Sequence, residues 1–292
     1  MLVRVLGFGK ARRRLRRNRN RNLSTSRSAG KRGQVMDDAW VFLDVGNVLL
    51  DEGPLTYRVF RRHVEAVRRA CPEATFAGLL AEREAKAAAG SRWPLDEVVS
   101  AFLDEAGRAA VWTEAAREVR AEFARLSPPV TGALGLVERL ARRYRLGLIA
   151  NQGSECRARL KALGLLGRFR VVALSEERGT YKPDPGLFRW AVEQAGAAPS
   201  DCVMVGDRLD NDIAPALALG MAAVWVRWPD FSAKGWRPAE PEALAYRESL
   251  ERSARRAEAL APEVRPSVAI DTIGALEEAL DGLARSSLRR PE

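Results

Sequence analysis

The chain has 292 residues, of which 47 % are hydrophobic and 29 % are charged, and its formal net charge is +10. This length and composition are typical of a globular protein with a sizeable core, in one large domain or two smaller ones. No apolar run approaches the length of a membrane-spanning helix, so no transmembrane segment is predicted. The three cysteines lie far apart in sequence, which excludes a closely spaced metal motif and favours a reducing, cytoplasmic location.

The positive charge is concentrated at the amino terminus. Residues 1–35 contain twelve lysines or arginines and no acidic residue, a charge of +12, so the rest of the chain carries −2. Such a segment is predicted to be disordered, because it cannot bury enough apolar surface. Three interpretations remain open: non-specific binding to polyanions such as nucleic acid or anionic membranes, a transit peptide, or a mis-assigned start with Met36 as the true first residue. The last is favoured, and no specific nucleic-acid module is expected.

The ordered part is predicted to begin with a buried strand, AWVFLD (39–44). From residue 57 to residue 126 the pattern indicates one helix after another, with no strand signal. An all-helical insertion directly after a first strand is typical of a lid or cap. The sequence therefore predicts a helical cap over residues 55–126, inserted into a core formed by residues 36–54 and 127–292.

Five further apolar runs are predicted to be strands: LGLIA (146–150), RVVAL (170–174), CVMVG (202–206), AAVWV (222–226) and SVAI (267–270). They lack period-two alternation, as expected for strands that are covered on both faces. Helical segments separate most of them, so the predicted fold class is α/β, with a parallel sheet and right-handed crossovers. A second insertion, at about 229–263, is rich in Pro, Arg and Glu and is predicted to be helical from Pro241 onward.

Polar residues follow several of the predicted strands at their carboxyl ends, where open α/β sheets bind ligands. The first strand ends in Asp44, and the second is followed by Asn151. Lys182 lies in a turn, YKPDP, after the third strand. The fourth strand is followed by GDRLDND, which contains Asp207, Asp210 and Asp212. One lysine and several carboxylates are thus expected to converge at one edge of the sheet.

This combination is typical of phosphoryl transfer. Crowded carboxylates repel one another unless a cation lies among them, and Mg²⁺ prefers one or two carboxylates, several waters and a substrate phosphate. Asp44 and Asp207 fit that preference. An ionised Asp needs no change of pKa to attack phosphorus at neutral pH, and a lysine can neutralise charge on the transferred group. The predicted chemistry is phosphoryl transfer, assisted by Mg²⁺, through an aspartyl-phosphate.

In these motifs and their order, the sequence resembles the haloacid dehalogenase (HAD) superfamily from Trp40 to about Ile270. The resemblance rests on the strand-end Asp, the helical insertion, the strand-end Asn, YKPDP and VGDRLDND, of which the last two are the most specific. It implies a Rossmann-like, three-layer parallel sheet with an inserted helical cap, and a small phosphorylated metabolite as the substrate.

The resemblance also implies roles for individual residues. Asp44 would be the nucleophile and a Mg²⁺ ligand, together with the backbone carbonyl of Gly46 and the carboxylate of Asp207. Lys182 would bridge the nucleophile and the phosphoryl oxygens. Asp212 would serve the outer shell of the metal or anchor Lys182.

Several of these residues have structural interpretations that remain open. Asp212 also fits an acid favoured by the dipole of the following helix, and Asn151 fits a helix cap. Asp210 is expected to face solvent. His63, the single histidine of the chain, is predicted to be an exposed residue of the first cap helix.

Three positions depart from the family pattern. Gly46 stands where the family's phosphatases have an Asp that protonates the leaving group and later activates water, a contribution of typically ~10²–10⁴-fold. Ala150 replaces a Ser or Thr that hydrogen-bonds the phosphoryl group, and Asn151 or Gln152 is the alternative substrate-binding donor. Val48 replaces the Thr of the first motif.

Three explanations for Gly46 remain open. The substrate has a good leaving group, such as an anomeric sugar phosphate or an acyl phosphate. Alternatively, another residue supplies the acid, either from the cap or from the pair Asp51–Glu52. In the third explanation the protein binds a ligand without turnover. A working but narrow or slow hydrolase is favoured.

Two other functions compete with the phosphatase. A metal-independent haloacid dehalogenase is disfavoured, because the carboxylates of GDRLDND would repel an anionic haloacid. A catalytically silent binding or regulatory protein, tethered by its basic tail, is kept open by Gly46 and Ala150.

Overall fold

The computed structural model describes residues 39–91 and 93–287. The predictions for the basic segment 1–35 and for Met36 lie outside the described residues. Within the described ranges, no helix combines the length and the apolar content that crossing a membrane would require.

Six parallel strands form one sheet in the order β3-β2-β1-β4-β5-β6. Their bounds are β1 Trp40–Leu43, β2 Arg145–Ala150, β3 Phe169–Leu174, β4 Cys202–Gly206, β5 Ala222–Val226 and β6 Val268–Ile270. All six predicted strands are confirmed, to within one residue at either end. Because β1 lies between β2 and β4, the chain winds outward from β1 in both directions, and the crevice for a ligand opens at that switch point.

Helices cover both faces of the sheet and make a three-layer α/β fold, as predicted. The helices that alternate with the strands are α6 Ala133–Leu140, α7 Ser154–Ala162, α8 Ser175–Arg178, α9 Pro185–Ala195, α10 Ala214–Leu219 and α12 Leu276–Ser287. On one face, Phe42 and Ile149 pack against Phe188 of α9, and on the other Val41 and Leu43 join a cluster with α6 and α12. Coverage on both faces explains why the strands are continuous apolar runs.

Five helices between β1 and α6 form what we call the first insertion, residues 53–126. They are α1 Gly53–Ala70, α2 Phe76–Ala88, α3 Pro94–Val99, α4 Glu105–Ala121 and α5 Phe123–Leu126. Two of these helices begin at side-chain caps: Thr75 accepts a hydrogen bond from Gly78 N at 3.0 Å, and Asp104 accepts one from Gly107 N at 2.7 Å. Such caps satisfy backbone donors of the first turn and fix where each helix starts.

The segment between β5 and β6, residues 227–267, is what we call the second insertion. Its main helix, α11 Pro241–Leu260, begins at the predicted residue. Tyr246 of α11 is fully buried, and the centroid of its ring lies 5.1 Å from that of Phe60 of α1. The guanidinium of Arg83, in α2, lies 5.4 Å from the centroid of the Tyr246 ring. The second insertion therefore packs directly onto the first.

Candidate active site

Three neighbouring strands bring polar residues to one edge of the sheet. Asp44 follows β1, Asn151 follows β2 and Asp207 follows β4, and these strands are adjacent in the sheet. Lys182, from the loop before α9, reaches the same place. These side chains line a cavity of about 60 Å³ together with Gly46, Asn47, Glu52, Gln152, Arg208, Asn211 and Asp212. The predicted convergence of one lysine and several carboxylates is therefore present in the structure.

Lys182 is buried and joins two carboxylates. Its Nζ lies 2.8 Å from Oδ1 of Asp44 and 2.6 Å from Oδ1 of Asp212, and it donates a third bond of 3.0 Å to the carbonyl of Ile149. Burial opposes the charge of the ammonium, but Asp212 and Asp44 outweigh that effect and raise the pKa of Lys182 above its usual value. The lysine is therefore a fixed cation next to the predicted nucleophile.

The carboxylates of the site are crowded and short of positive charge. Oxygens of Asp44, Asp207 and Asp212 all lie within 4.8 Å of one another. Burial raises the pKa of Asp44, Lys182 opposes that shift, and Asp207 adds to it. Burial likewise raises the pKa of Asp207 to about 6, and the negative charge of Asp212 adds to this shift. Burial also raises the pKa of Asp212 to about 6, although the positive charge of Lys182 opposes the shift. A bound cation would relieve this repulsion.

This donor set fits a magnesium ion. Mg²⁺ is held in proteins by oxygen ligands, commonly one or two carboxylates with waters and substrate phosphate. The residues available are Asp44, the backbone carbonyl of Gly46 and Asp207, with Asp212 close by. Both oxygens of Asp212 already have partners, because Oδ1 binds Lys182 and Oδ2 accepts a bond of 3.0 Å from Arg208 N. Asp212 is thus placed to anchor the lysine and the loop rather than to bind the metal directly.

Asp212 and Asp210 occupy different environments although they are two residues apart. Asp212 lies against Gly206, where an added β-carbon would be 2.3 Å from the Cβ of Asp212, so the glycine of the GD pair makes room for it. The side chain of Asp210 is 54 % exposed and forms an ion pair of 2.6 Å with Arg208. The solvent-facing position predicted for Asp210 agrees with this geometry.

Asn47 lies at the centre of a network that the sequence did not reveal. Its backbone is left-handed, with φ of 54°, and its Nδ2 donates a bond of 3.0 Å to Oδ2 of Asp207. Two residues of the second insertion hold it there. Lys234 donates from Nζ to Oδ1 of Asn47 at 3.0 Å, and Trp228 donates from its indole to the backbone carbonyl at 2.7 Å. Trp228 follows β5 by two residues but is an indole rather than a charged or amide side chain, and Lys234 belongs to no motif, so neither contact was predicted.

Lys234 is, like Lys182, a buried lysine near the carboxylates. Its ammonium lies 3.3 Å from the ring centroid of Phe231. Burial lowers the pKa of Lys234 to about 8, and the negative charges of Asp51, Asp207 and Glu52 oppose that shift. The site thus has a lysine on each side of the carboxylate cluster.

Glu52 also faces the cavity, immediately before α1. Its Oε1 accepts a hydrogen bond of 2.6 Å from Nε2 of Gln152. Burial raises the pKa of Glu52 to about 7, and the charges of Asp44 and Asp207 add to the shift. A carboxyl group of this pKa exchanges protons near neutral pH, which is the property required of a general acid or base.

The two predicted substrate-binding residues after β2 are both engaged within the protein. Asn151 donates from Nδ2 to the carbonyl of Lys182 at 2.9 Å and accepts from its backbone N at 2.8 Å, so it clamps the lysine loop. Gln152 is nine-tenths buried, donates to Glu52, and leaves its Oε1 without a hydrogen-bond partner among the described residues. These two bonds use one of the two Nδ2 hydrogens of Asn151, and the second hydrogen remains for a substrate.

The expectation for His63 was wrong. The side chain is 1 % exposed, with Nδ1 at 2.8 Å from the carbonyl of Val59 and its ring centroid 4.2 Å from that of Trp112. Burial lowers the pKa of His63 to about 4. The histidine faces the interior of the first insertion, where α1 meets α4, because its side of α1 continues the apolar face of that helix.

Comparison with known proteins decides the family. The sequence model of the haloacid dehalogenase-like hydrolases matches residues 39–220, well over half of the chain. The chain belongs to the haloacid dehalogenase-like hydrolases. This HAD-like chain is also similar in fold to a HAD phosphatase from Thermococcus onnurineus, with a TM-score of 0.53 and 21 % identity, covering 83 % of this chain and 97 % of that one. A haloacid dehalogenase-like protein from Agrobacterium tumefaciens gives a TM-score of 0.59 at 17 % identity, covering 84 % and 99 %.

Two curated relatives are more similar in sequence over shorter segments. The HAD-like chain is 37 % identical to a phosphoserine phosphatase of Thermus thermophilus over 155 residues, which is 51 % of this chain and 58 % of that protein. It is 34 % identical to a pyrimidine 5'-nucleotidase of Escherichia coli over 106 residues, 36 % of this chain and 47 % of that protein. The chain thus spans about half the length of these curated relatives.

Proposed function

We propose that this HAD-like hydrolase is a Mg²⁺-dependent phosphatase of a small phosphorylated metabolite, acting through an aspartyl-phosphate on Asp44. The observation that carries the proposal is the position of the Lys182 ammonium between Asp44 and Asp212, beside the carboxylate of Asp207. The similarity to a phosphoserine phosphatase and a pyrimidine 5'-nucleotidase supports a phosphomonoester as the substrate. The domain division predicted from the sequence, with a core at 36–54 and 127–292, belongs to the same proposal.

In this proposal the carboxylate of Asp44 attacks phosphorus. Its Oδ1 is held by the backbone N of Val45 at 2.8 Å and by Lys182 at 2.8 Å, so the carboxylate keeps one orientation. Fixing the nucleophile in this way reduces the entropy that must be lost in reaching the transition state. Lys182 neutralises charge that develops on the transferred group, and Asp212 keeps the lysine in position.

Asp44, the carbonyl of Gly46 and Asp207 would hold the magnesium ion. When bound, Mg²⁺ supplies positive charge that stabilises the phosphoryl oxygens in the transition state. Asn47 orients Asp207 through the bond of 3.0 Å to its Oδ2, and the indole of Trp225 donates to the backbone carbonyl of Asp207 at the same distance. Both contacts reduce the freedom of the proposed ligand.

We propose that the first insertion acts as a cap over the site. The cavity of about 60 Å³ holds the proposed nucleophile, and Glu52 in its wall stands immediately before the first helix of that insertion. Cap closure excludes water and selects the substrate in this kind of architecture. A cytoplasmic location remains part of the same proposal.

A silent binding protein is the second candidate, and one observation favours it. Ala150 is fully buried and offers no hydroxyl, and the side chain of Asn151 is occupied by the Lys182 backbone. The donors that a phosphoryl group would need near β2 are therefore few. Turnover separates this candidate from the phosphatase.

Phosphate release from a panel of phosphomonoesters tests the proposal. The full-length chain is assayed with Mg²⁺ and with chelator, beside Asp44→Asn and the matched control Asp210→Asn, which changes an exposed acid of the same motif. We expect Mg²⁺-dependent release that Asp44→Asn abolishes and Asp210→Asn retains. Folded protein that binds Mg²⁺ but releases phosphate from no ester would contradict the phosphatase and favour the binding protein.

A further inference from the structure

The carboxylate of Glu52 occupies the space that a side chain at position 46 would take. A β-carbon built on Gly46 would lie 2.6 Å from Oε1, 2.7 Å from Cδ and 2.9 Å from Oε2 of Glu52. These distances are below van der Waals contact, so a larger residue at position 46 would require the Glu52 carboxylate to move out of its present position. The missing side chain of Gly46 and the inward position of Glu52 are therefore two parts of one arrangement.

Glu52 is oriented toward the reacting groups rather than toward solvent. Nε2 of Gln152 holds its Oε1 at 2.6 Å, and the side chain lines the same cavity as Asp44 and Lys182. Its Oε2 has no hydrogen-bond partner among the described residues, so one carboxyl oxygen is available to a substrate. The carboxylates of Glu52 and Asp44 line the same cavity.

The other proton carriers near the site are used elsewhere. Asp51 accepts bonds from Gly53 N at 2.9 Å and from Trp236 N at 3.2 Å, so both of its oxygens fix the start of α1. His63 is enclosed inside the first insertion against Trp112. Of these three groups, Glu52 is the one that lines the cavity.

We propose that Glu52 is the general acid and base of this hydrolase and replaces the side chain missing at position 46. The inference rests on the proposed phosphatase function and names the residue that the first motif lacks. Glu52 lies eight residues after Asp44 in the sequence, yet the fold returns it to the place that a residue two positions after the nucleophile would occupy.

Hydrolysis then takes two steps. An oxygen of Asp44 forms a bond to phosphorus, the ester P–O bond breaks, and the leaving oxygen takes the electron pair and the proton of Glu52. In the second step the Glu52 carboxylate takes a proton from water, whose oxygen bonds to phosphorus while the bond to Asp44 breaks. Inorganic phosphate leaves, the Asp44 carboxylate is regenerated, and Glu52 carries a proton again.

The first test uses Glu52→Gln, which keeps the shape and the contact with Gln152 but carries no acidic proton. For an alkyl phosphomonoester we expect turnover to fall by ~10²–10⁴-fold, the usual contribution of a general acid or base. For an aryl phosphate with an acidic phenol as the leaving group, we expect a first-turnover burst of phenolate. Intact-mass analysis after acid quench should then show the phosphoryl group accumulating on the protein.

The second test moves the carboxylate to position 46. Gly46→Asp alone should displace the Glu52 carboxylate from its present position, and Glu52→Ala alone should lose the proton carrier. The combination of Gly46→Asp with Glu52→Ala should recover about tenfold or more over Glu52→Ala. The matched control combines Gly46→Asn with Glu52→Ala, which fills the same space without a carboxyl group and should recover nothing. Thermal unfolding of each variant verifies that it is folded.

The outcomes separate the two proposals. Wild-type turnover that Asp44→Asn abolishes and Glu52→Gln leaves unchanged would overturn the role of Glu52 and leave the phosphatase in place. Equal recovery by the Asn and Asp combinations would overturn it as well, because it would reduce Glu52 to a space-filling residue. Absence of any turnover and of any phosphorylated protein in the wild type would overturn both.

Discussion

Lys234 donates a hydrogen bond of 3.0 Å from its Nζ to Oδ1 of Asn47, a residue that lies 187 positions earlier in the chain. The amide of Asn47 donates in turn to Asp207, so the second insertion reaches a proposed metal ligand through one intermediate side chain. A buried lysine in this position orients Asn47 and adds positive charge near the carboxylates at the same time.

Replacement of Lys234 by Met is expected to weaken Mg²⁺ binding by about 10- to 100-fold, the range seen when the outer partners of a metal site are removed. The variant keeps the apolar stem but loses the bond to Asn47. Isothermal titration with Mg²⁺ measures the effect. Lys161→Met, a substitution of an exposed lysine, is the control and should bind as the wild type does. Unchanged Mg²⁺ affinity in Lys234→Met would contradict the prediction.

Lys182→Met should destabilise the protein by about 3–5 kcal/mol, because it leaves the buried carboxylates of Asp44 and Asp212 without their partner. Urea unfolding of the metal-free protein gives the free energy. Adding Asp212→Asn to this variant removes part of the repulsion between Asp44 and Asp212. The double variant should therefore lose less free energy of unfolding than the sum of the losses in the two single variants. Additive losses would mean that Lys182 and Asp212 do not depend on each other.

The stability of the metal-free protein should decrease as the pH rises from about 4 to about 7. Burial raises the pKa of Asp207 and of Asp212 to about 6 and that of Glu52 to about 7, so over this interval the folded state holds protons that the unfolded chain has released. Burial lowers the pKa of His63 to about 4, so its contribution to stability increases with pH over the same interval, opposite to that of the carboxyl groups.

The difference between Mg²⁺ and chelator isolates the carboxylates from His63. Since Mg²⁺ binds ionised carboxylates, the rise in melting temperature that it produces should be larger at about pH 7 than at about pH 5. Thermal unfolding at both pH values measures this difference. An equal rise at both would indicate that the carboxylates are already ionised at the lower pH, contrary to the prediction.

Tyr246 offers a test of the contact between the two insertions. Its ring is fully buried against Phe60 and Arg83, but its hydroxyl has no hydrogen-bond partner among the described residues. Tyr246→Ala should therefore cost about 3–5 kcal/mol through the cavity that it leaves. Tyr246→Phe keeps the ring and should be neutral or slightly stabilising, since it removes a buried polar atom that has no partner. Urea unfolding compares the two.

The strands and the convergence at the sheet edge could be predicted because they depend on local patterns. Continuous apolar runs mark strands that are buried on both faces, and in a parallel sheet the residues that follow those strands must meet. Asp44, Lys182 and Asp207 could therefore be placed together from the sequence alone. The pair Asp51–Glu52 could be proposed as a source of the missing acid, but the sequence does not distinguish the two residues.

The remainder depends on contacts between distant segments that no local pattern encodes. Lys234 and Trp228 lie in the second insertion, 187 and 181 positions after Asn47, and no motif in their sequence predicts the bonds to Asn47. The prediction for His63 failed for a related reason. A single polar residue on an Arg-rich helix is expected to be exposed, and only the packing of α4 against α1 shows that His63 is buried. The position of the Glu52 carboxylate beside Gly46 likewise could not be predicted from the sequence.

Glu52 stands where the chain passes from the sheet into the first insertion, immediately before α1. Gly53 is pressed against Trp236, where an added β-carbon would be 2.4 Å from Cε3 of the indole. Any rotation of the first insertion about residues 51–53 would therefore shift Glu52 relative to Asp44. Substrate entry and proton transfer would then alternate in time rather than coincide, and the frequency with which α1 returns to this position would set an upper limit on the turnover rate.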